Sequence, residues 1–314
     1  MVMKILYINA NERIDIDDNC MALGYFDGLH LGHQKLLHTV DRIAKSKGLK
    51  KALMTFDKHP RELIQNQVNQ HLTTLEDKIK ILASYGFDYL LIVHFNDQFL
   101  TLSPQQFIQQ YIIKYRVKHV VCGFDYRFGH LGVGDVELLE KESRQQYDVT
   151  VANAQMYYAH KVSSTYIKSL LHQGDVQVAS TLLGRKYHIT GKVVHGYKRG
   201  KKELGFATAN MVYDNYVIPK TGVYGVTVLV NNQMYYGMAN IGYNPTFGDL
   251  DKPSLEVHLF AFNSDIYGEI MTVFFEKHMR GEVRFSSKEE LIVQLQKDQQ
   301  MIQNYFNVSN NTGP

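Results

Sequence analysis

Between Met21 and Ala44 the chain passes from an apolar run into an amphipathic stretch through Gly24-Tyr25-Phe26-Asp27-Gly28-Leu29-His30-Leu31-Gly32-His33. Met21, Ala22 and Leu23 read as the end of a strand, while Leu36, Leu37, Val40, Ile43 and Ala44 recur at helical spacing. A strand that runs through a tight glycine loop into a helix is the unit of a parallel α/β sheet. A helix start has free N–H groups and a partial positive charge, so it attracts phosphate. Glycine lets a backbone come close to a ligand. The expectation is a loop that holds phosphates and sets His30 and His33 against them. Two other readings are surface histidines at a helix start and a zinc pair at i, i+3. No third ligand of suitable type is near in sequence, and Gly24, Asp27, Gly28 and Gly32 favour phosphate.

The rest of the first half keeps the alternation. Lys4–Ile8, Ala52–Phe56, Tyr89–Phe95, Val120–Cys122 and Val149–Ala152 read as strands. A helix is expected from about Gly32 to Lys47. Thr73-Thr74-Leu75-Glu76 and Ser103-Pro104-Gln105-Gln106 read as capping boxes that open two more. The sum is a doubly wound parallel sheet, whose ligands sit at the carboxyl ends of strands. Ser163–Leu171 and Val176–Leu183 read as two short helices broken at Gly174-Asp175. Beyond Lys186 the pattern is β: His188–His195, Val223–Val230, Met234–Met238, Leu255–Phe260 and Met271–Phe275, with a hairpin turn at Asn231-Asn232. This predicts an antiparallel β-barrel, closed by a C-terminal helix from Ser287 to about Tyr305.

At 314 residues two domains are expected, 1–181 and 182–314. A net charge of +3 is too weak to call for nucleic acid or a membrane. The two cysteines, Cys20 and Cys122, are far apart and suit a reducing compartment. No signal peptide and no membrane span are read, so a cytoplasmic protein is expected.

Four stretches of the first half resemble one family. Gly24–His33 is similar to the G-x-F-D-G-x-H-x-G-H signature of the nucleotidylyltransferase superfamily, in its flavin branch. Thr55-Phe56-Asp57-Lys58-His59-Pro60 resembles that branch's T-F-[DE]-P-H-P. Gly123–Gly129, followed by Gly134-Asp135, resembles G-x-[DN]-F-x-F-G-x-x-x-x-G-D. Ser163–Lys168 resembles S-S-T-x-I-R, with lysine in place of arginine. The resemblance implies adenylyl transfer from ATP to FMN, giving FAD and pyrophosphate. It assigns His30 and His33 to catalysis. It assigns Gly24, Phe26, Asp27, Gly28, Gly32, Asp125, Ser163, Ser164, Thr165 and Lys168 to ATP and its phosphates. Phe56, His59, Pro60 and Phe128 would meet the flavin. Alone, Phe56 and Phe128 read as core, and Ser163–Thr165 as a plain N-cap.

In the second half, Gly191 to Gly200 is glycine-rich and basic and leads through Gly205 into Phe206-Ala207-Thr208-Ala209-Asn210. It is not a Walker loop, because Tyr197-Lys198 stands where Lys-Ser/Thr is required. A solvated basic turn is the bland alternative. Thr208 and Asn210 are two apart, so in extended chain they share a side, and their neutral oxygens suit magnesium. Glu256 alternates with Leu255 and Val257, which by itself describes an ordinary half-exposed strand. The run G-x-V-x-x-G through T-A-N, then Gly222-Val223-Tyr224, Asn240–Phe247, Leu255–His258, Tyr267-Gly268 and Arg280, resembles the riboflavin kinase module, with Ala207 where that module has proline.

Together the stretches resemble the prokaryotic bifunctional riboflavin kinase/FMN adenylyltransferase (FAD synthetase) family over nearly the whole chain. The resemblance implies Glu256 as general base and Mg2+ on Thr208 and Asn210. Gly191, Gly196, Arg199, Gly200, Gly205 and Arg280 would bind the kinase ATP. ATP, riboflavin and FMN are the expected substrates. Neither nucleic acid nor membrane is expected as a partner, and a homo-oligomer is left open. The alternatives are an adenylyltransferase whose kinase module is weak or silent and only binds flavin, and a non-catalytic regulator on the same folds.

Overall fold

The computed structural model describes residues 2–8, 14–58, 62, 69–195, 206–243 and 253–307. The chain forms two units, 1–164 and 165–314.

The first unit is built on six parallel strands: β1 (Lys4–Ile8), β2 (Asn19–Leu23), β3 (Lys50–Phe56), β4 (Tyr89–Val93), β5 (Val117–Gly123) and β6 (Asp148–Ala152), in the order β1-β4-β3-β2-β5-β6. Every residue of β2 and β4 is buried, as inner strands covered on both faces require. Edge strand β1 is largely exposed. From β2 the chain steps to β3 and β4 on one side, then returns to β5 and β6 on the other. The switch point therefore lies between β2 and β5, where such sheets bind ligands. Helix α1 (Leu31–Lys47) buries Leu36, Leu37, Val40, Ile43 and Ala44 against one face and ends at Gly48. Helix α2 (Leu75–Ser84) packs into the same cluster through Leu82. The predicted box at Thr73 is displaced: Thr74, not Thr73, is the N-cap and accepts from Asp77 N–H at 3.2 Å. After α3 (Asp97–Leu100), the box at Ser103 has both its bonds, and α4 (Pro104–Phe107) runs into a π-helical stretch over Ile108–Ile113. Helix α5 (Val136–Lys141) precedes β6, and a small hairpin, β7 (Met156–Tyr157) and β8 (His160–Lys161), follows it.

Helices α6 (Ser164–Gln173) and α7 (Val176–Leu183) are broken at Gly174-Asp175, with Asp175 capping α7. Beyond them β9 (His188–Val194), β10 (Ala209–Tyr213), β11 (Gly222–Val230), β12 (Gln233–Gly242), β13 (Ser254–Leu259) and β14 (Ile270–Arg280) close into a barrel ordered β10-β13-β12-β11-β14-β9. Asn231 and Asn232 take positive φ values of 50° and 60°, which a tight hairpin with the strands' own twist demands. Helix α8 (Lys288–Phe306) lays Ile302 against Val223 and Met238.

Candidate functional site

Three of the family-like stretches lie at the carboxyl ends of β2, β3 and β5, and the fourth, from Ser163, follows β8. Phe26 is left-handed and Gly28 has φ +82°, so the loop turns sharply before α1. His30 is the N-cap of α1: its Nδ1 accepts the His33 backbone N–H at 3.3 Å. A neutral His30 with Nδ1 as acceptor carries its proton on Nε2. The two imidazoles stack with centroids 3.7 Å apart and planes 14° apart. Phe26 meets His33 edge-on at 5.1 Å. Nδ1 of His33 is buried and without a hydrogen-bond partner among the described residues. Burial first, then the charge of His30 whenever that ring is protonated and those of Lys78 and Lys161, hold His33 well below the usual histidine range, so it is neutral at pH 7.

The glycines serve the protein's own rings as much as a ligand. A Cβ on Gly32 would lie 3.1 Å from His30 Cε1, and one on Gly24 would lie 3.1 Å from the Phe26 ring. Phe26 is 1% exposed and belongs to the core.

Asp27 is also turned inward. Its Oδ1 accepts from Leu72 N–H at 2.8 Å and Thr73 N–H at 3.4 Å, and its backbone carbonyl accepts from the Ser164 hydroxyl at 2.9 Å. Thr73 Oγ1 in turn accepts Gly28 N–H at 3.0 Å. Thr55 Oγ1 donates to the Tyr25 carbonyl at 2.8 Å, and Lys78 Nζ donates to the same carbonyl at 2.6 Å. Sequence reasoning passed over Thr73, Thr55 and Lys78 as loop supports. Only the buried position of a lysine on a helix's apolar side could have signalled the last.

Asp125 is exposed beyond β5 and pairs with Lys161, whose ammonium lies 4.6 Å over the Phe124 ring. Ser163 stands before α6, Ser164 and Thr165 open it, and Lys168 follows half-buried one turn later. The aromatic residues divide. Phe56 is half-buried against Phe95 and Phe99, each at 5.2 Å. Phe128 is 5% exposed and packed between Phe107 and Tyr126, so its ring is core and shows no face to a flavin. His59 and Pro60 lie outside the described residues, as do Gly196, Arg199, Gly200 and Gly205.

In the barrel, β10 and β13 pair so that Asn210 stands directly opposite Glu256, and β12 puts Asn240 opposite Glu256 on its other side. Register partners share a face, so Asn210, Glu256 and Asn240 form one polar row. Leu255, Val257 and Leu259 are buried on the opposite face. Asn240 was legible only as part of a motif; its place beside Glu256 follows from register. Thr208 lines a cleft of about 580 Å³ with Ala207, His258, Phe262, Asp265 and Tyr267. His258 Nδ1 lies 2.7 Å from the Ala207 carbonyl.

Two expected phosphate ligands have other work. Gly191 sits inside β9, where a Cβ would come within 2.4 Å of the Val212 carbonyl; its lack of a side chain lets β9 and β10 close the barrel. Arg280 grips the fully buried Asp298 of α8, with Nε 2.9 Å from Oδ1 and Nη2 2.6 Å from Oδ2, and its Nη1 donates to the Gly281 carbonyl. No cluster of three or more His, Cys, Asp or Glu that could hold a metal occurs among the described residues. Asn210 instead offers a neutral oxygen opposite the one carboxylate of Glu256, while Thr208 lines the cleft; neutral oxygens with a carboxylate suit a hard cation already bound to phosphates.

The FAD synthetase family model matches residues 13–166, and the riboflavin kinase model matches residues 183–306. The bifunctional riboflavin kinase/FMN adenylyltransferase of Bacillus subtilis is 43% identical over 97% of this chain and 98% of its own length. That of Listeria monocytogenes is 42% identical over 97% and 98%. A crystal structure described as a macrolide-efflux protein from Streptococcus pneumoniae shares the fold, with TM-score 0.87 and 33% identity over 96% of this chain and 99% of that one. Among the described residues no helix is long and apolar enough to cross a membrane. With both family models matched in order and relatives above 40% identical along its length, the chain belongs to the bifunctional riboflavin kinase/FMN adenylyltransferase family.

Proposed function

We propose that this chain phosphorylates riboflavin to FMN and then adenylylates FMN to FAD, with the kinase in residues 182–314 and the transferase in residues 1–181. One observation carries the reading: residues of the family signatures gather at the switch point of the sheet in one unit and along one polar row of the barrel in the other. The two matched models fall on either side of residue 182.

In the transferase, a phosphate oxygen of FMN attacks the α-phosphorus of ATP, and pyrophosphate leaves. Phosphate brings its own nucleophilic oxygen, so alignment and charge stabilisation do the work. His30 Nε2–H and the single N–H of neutral His33 donate to oxygens on which charge builds. The loop Gly24–Gly32, with Ser163 and Ser164, holds the phosphates. Asp27 acts by bracing the loop, and Asp125 bounds the nucleotide pocket. Phe56, with His59 and Pro60, meets the flavin.

In the kinase, Glu256 takes the proton of the riboflavin 5′-hydroxyl as that oxygen attacks the γ-phosphorus of ATP, and ADP leaves. Thr208 and Asn210 would hold Mg2+, which would supply positive charge to the phosphates. Gly196, Arg199, Gly200 and Gly205 would cover the phosphates. The enzyme works in the cytoplasm, where its free, buried cysteines stay reduced.

The test is one incubation of the full chain with riboflavin, ATP and Mg2+, with flavins separated by chromatography. FMN and then FAD should appear. No FMN removes the kinase assignment, and no FAD from added FMN removes the transferase assignment.

A further inference from the structure

Lys78 lies on α2 and is only 3% exposed. Its ammonium donates to the Tyr25 carbonyl at 2.6 Å and to Thr55 Oγ1 at 3.1 Å, and lies 4.4 Å from the centre of the Tyr25 ring. Burying an ammonium is costly, and an apolar side chain of similar length would fill the space at less expense. The charge is not spent on a surface ion pair. It is aimed at the backbone of the loop that runs from β2 into α1, next to the left-handed Phe26 and two residues before the inward-turned Asp27.

We propose that Lys78 is a positioning residue for adenylyl transfer: it ties the phosphate loop to β3 through the Tyr25 carbonyl and Thr55, and puts a positive charge beneath the site where nucleotide phosphates bind. This rests on the transferase reading above. Charge-assisted hydrogen bonds are the strong ones, so this contact holds the carbonyl where a neutral donor would let it move. The same charge helps keep His33 neutral and fit to donate a single N–H.

The titratable groups that face Lys78 are the Tyr25 phenol and the Asp27 carboxylate of the loop, and His33 of α1; β3 contributes the Thr55 hydroxyl. Burial pushes Lys78 down to about 8, against the pull of Asp27. Burial first, then nearby carboxylates, raises Tyr25, so the phenol stays protonated. As pH rises through about 8 the ammonium becomes an amine and the tie weakens. Between about 8 and the ordinary 10.5 the unfolded chain holds more protons than the folded one at this residue, so its contribution to stability rises with pH. Deprotonation of Lys78 therefore does not itself destabilise the fold in that window. The phosphates of ATP and FMN titrate near pH ~6, well to the acid side.

The experiment compares kcat/KM for ATP in FAD formation from FMN, against pH, for wild type, Lys78→Arg and Lys78→Met, using the full chain and Mg2+. Wild type should show an alkaline limb near about 8. Lys78→Arg should retain transfer at neutral pH and move that limb upward, since guanidinium stays charged. Lys78→Met should lose roughly ten- to a hundredfold at neutral pH and show no limb. Both variants should phosphorylate riboflavin as wild type does. A wild-type kcat/KM in Lys78→Met, or an unmoved limb in Lys78→Arg, overturns the inference; if Lys78→Met fails to fold, the limb of Lys78→Arg decides. Absence of FAD from wild type itself would instead remove the transferase reading.

Discussion

His30 and His33 are bound to each other twice: His30 Nδ1 accepts the His33 backbone N–H, and the two rings stack at 3.7 Å. One imidazole thus caps α1 and points its remaining N–H away from the helix. Stability and chemistry should separate at this residue. His30→Asn keeps a capping acceptor, whereas His30→Ala removes it at a cost of about 1 kcal/mol. Both should lose most FAD formation, but only His30→Ala should unfold at lower urea concentration. Equal midpoints would mean that the cap contributes nothing.

His33 also predicts a pH dependence of stability. Its pKa is depressed in the fold, so above the ordinary 6.5 neither state binds the proton and stability is full. Below 6.5 the unfolded chain takes a proton that the folded chain refuses, and stability falls until pH reaches the folded value. His33→Gln should flatten this acid loss in urea titrations. It should also depress FAD formation while FMN from riboflavin accumulates; loss of both products would put the residue in the wrong site.

Glu256 carries a reciprocal expectation. Glu256→Gln keeps the shape of the row with Asn210 and Asn240 but cannot accept the hydroxyl proton. FMN formation should drop by roughly a hundredfold or more, while FAD is still made from added FMN. Kinase turnover near the wild-type rate would remove Glu256 as the base.

The Arg280–Asp298 pair should show the asymmetry of buried ions. Asp298→Ala leaves a guanidinium that is only partly exposed without its partner, and should destabilise the second unit by about 3 kcal/mol. Removing both charges, in Arg280→Met with Asp298→Leu, should restore part of that loss in denaturant melts. A double variant no better than Asp298→Ala would show that the pair is not coupled.

Gly191 gives a steric test. An alanine Cβ there meets the Val212 carbonyl, which is backbone and cannot swing aside. Gly191→Ala should destabilise the barrel by about 1–3 kcal/mol and lower FMN formation, with FAD from FMN little changed. A fully stable variant with weak ATP binding would return Gly191 to the phosphate site.

Local patterns carried much of this protein. The period-2 alternation of β13 sorted buried Leu255, Val257 and Leu259 from Glu256 and His258, because alternation depends only on the strand itself. The switch from helix-strand alternation to short β segments likewise foretold a parallel sheet followed by a barrel. The misreadings involve residues whose partners are far away in sequence. Thr73 looked like a cap from its neighbours, yet its hydroxyl serves Gly28, 45 residues earlier. Gly191 looked like part of a phosphate loop, yet it clears the way for the strand at Val212. Phe128 matched a flavin motif, yet packs into the core between Phe107 and Tyr126.

From its residues alone this chain determined its elements, its barrel and sheet, and the passage from strand through glycine loop to helix between Gly24 and His33, since spacing, capping and glycine are local properties of a sequence. Tertiary structure alone decided which of these side chains share a face and which turn inward to brace the backbone. That choice depends on burial and cross-strand register: it sets Asn210 beside Glu256, turns Asp27 inward, and brings the ammonium of Lys78 under the Tyr25 carbonyl. No spacing rule contains such contacts, because they exist only when distant segments meet.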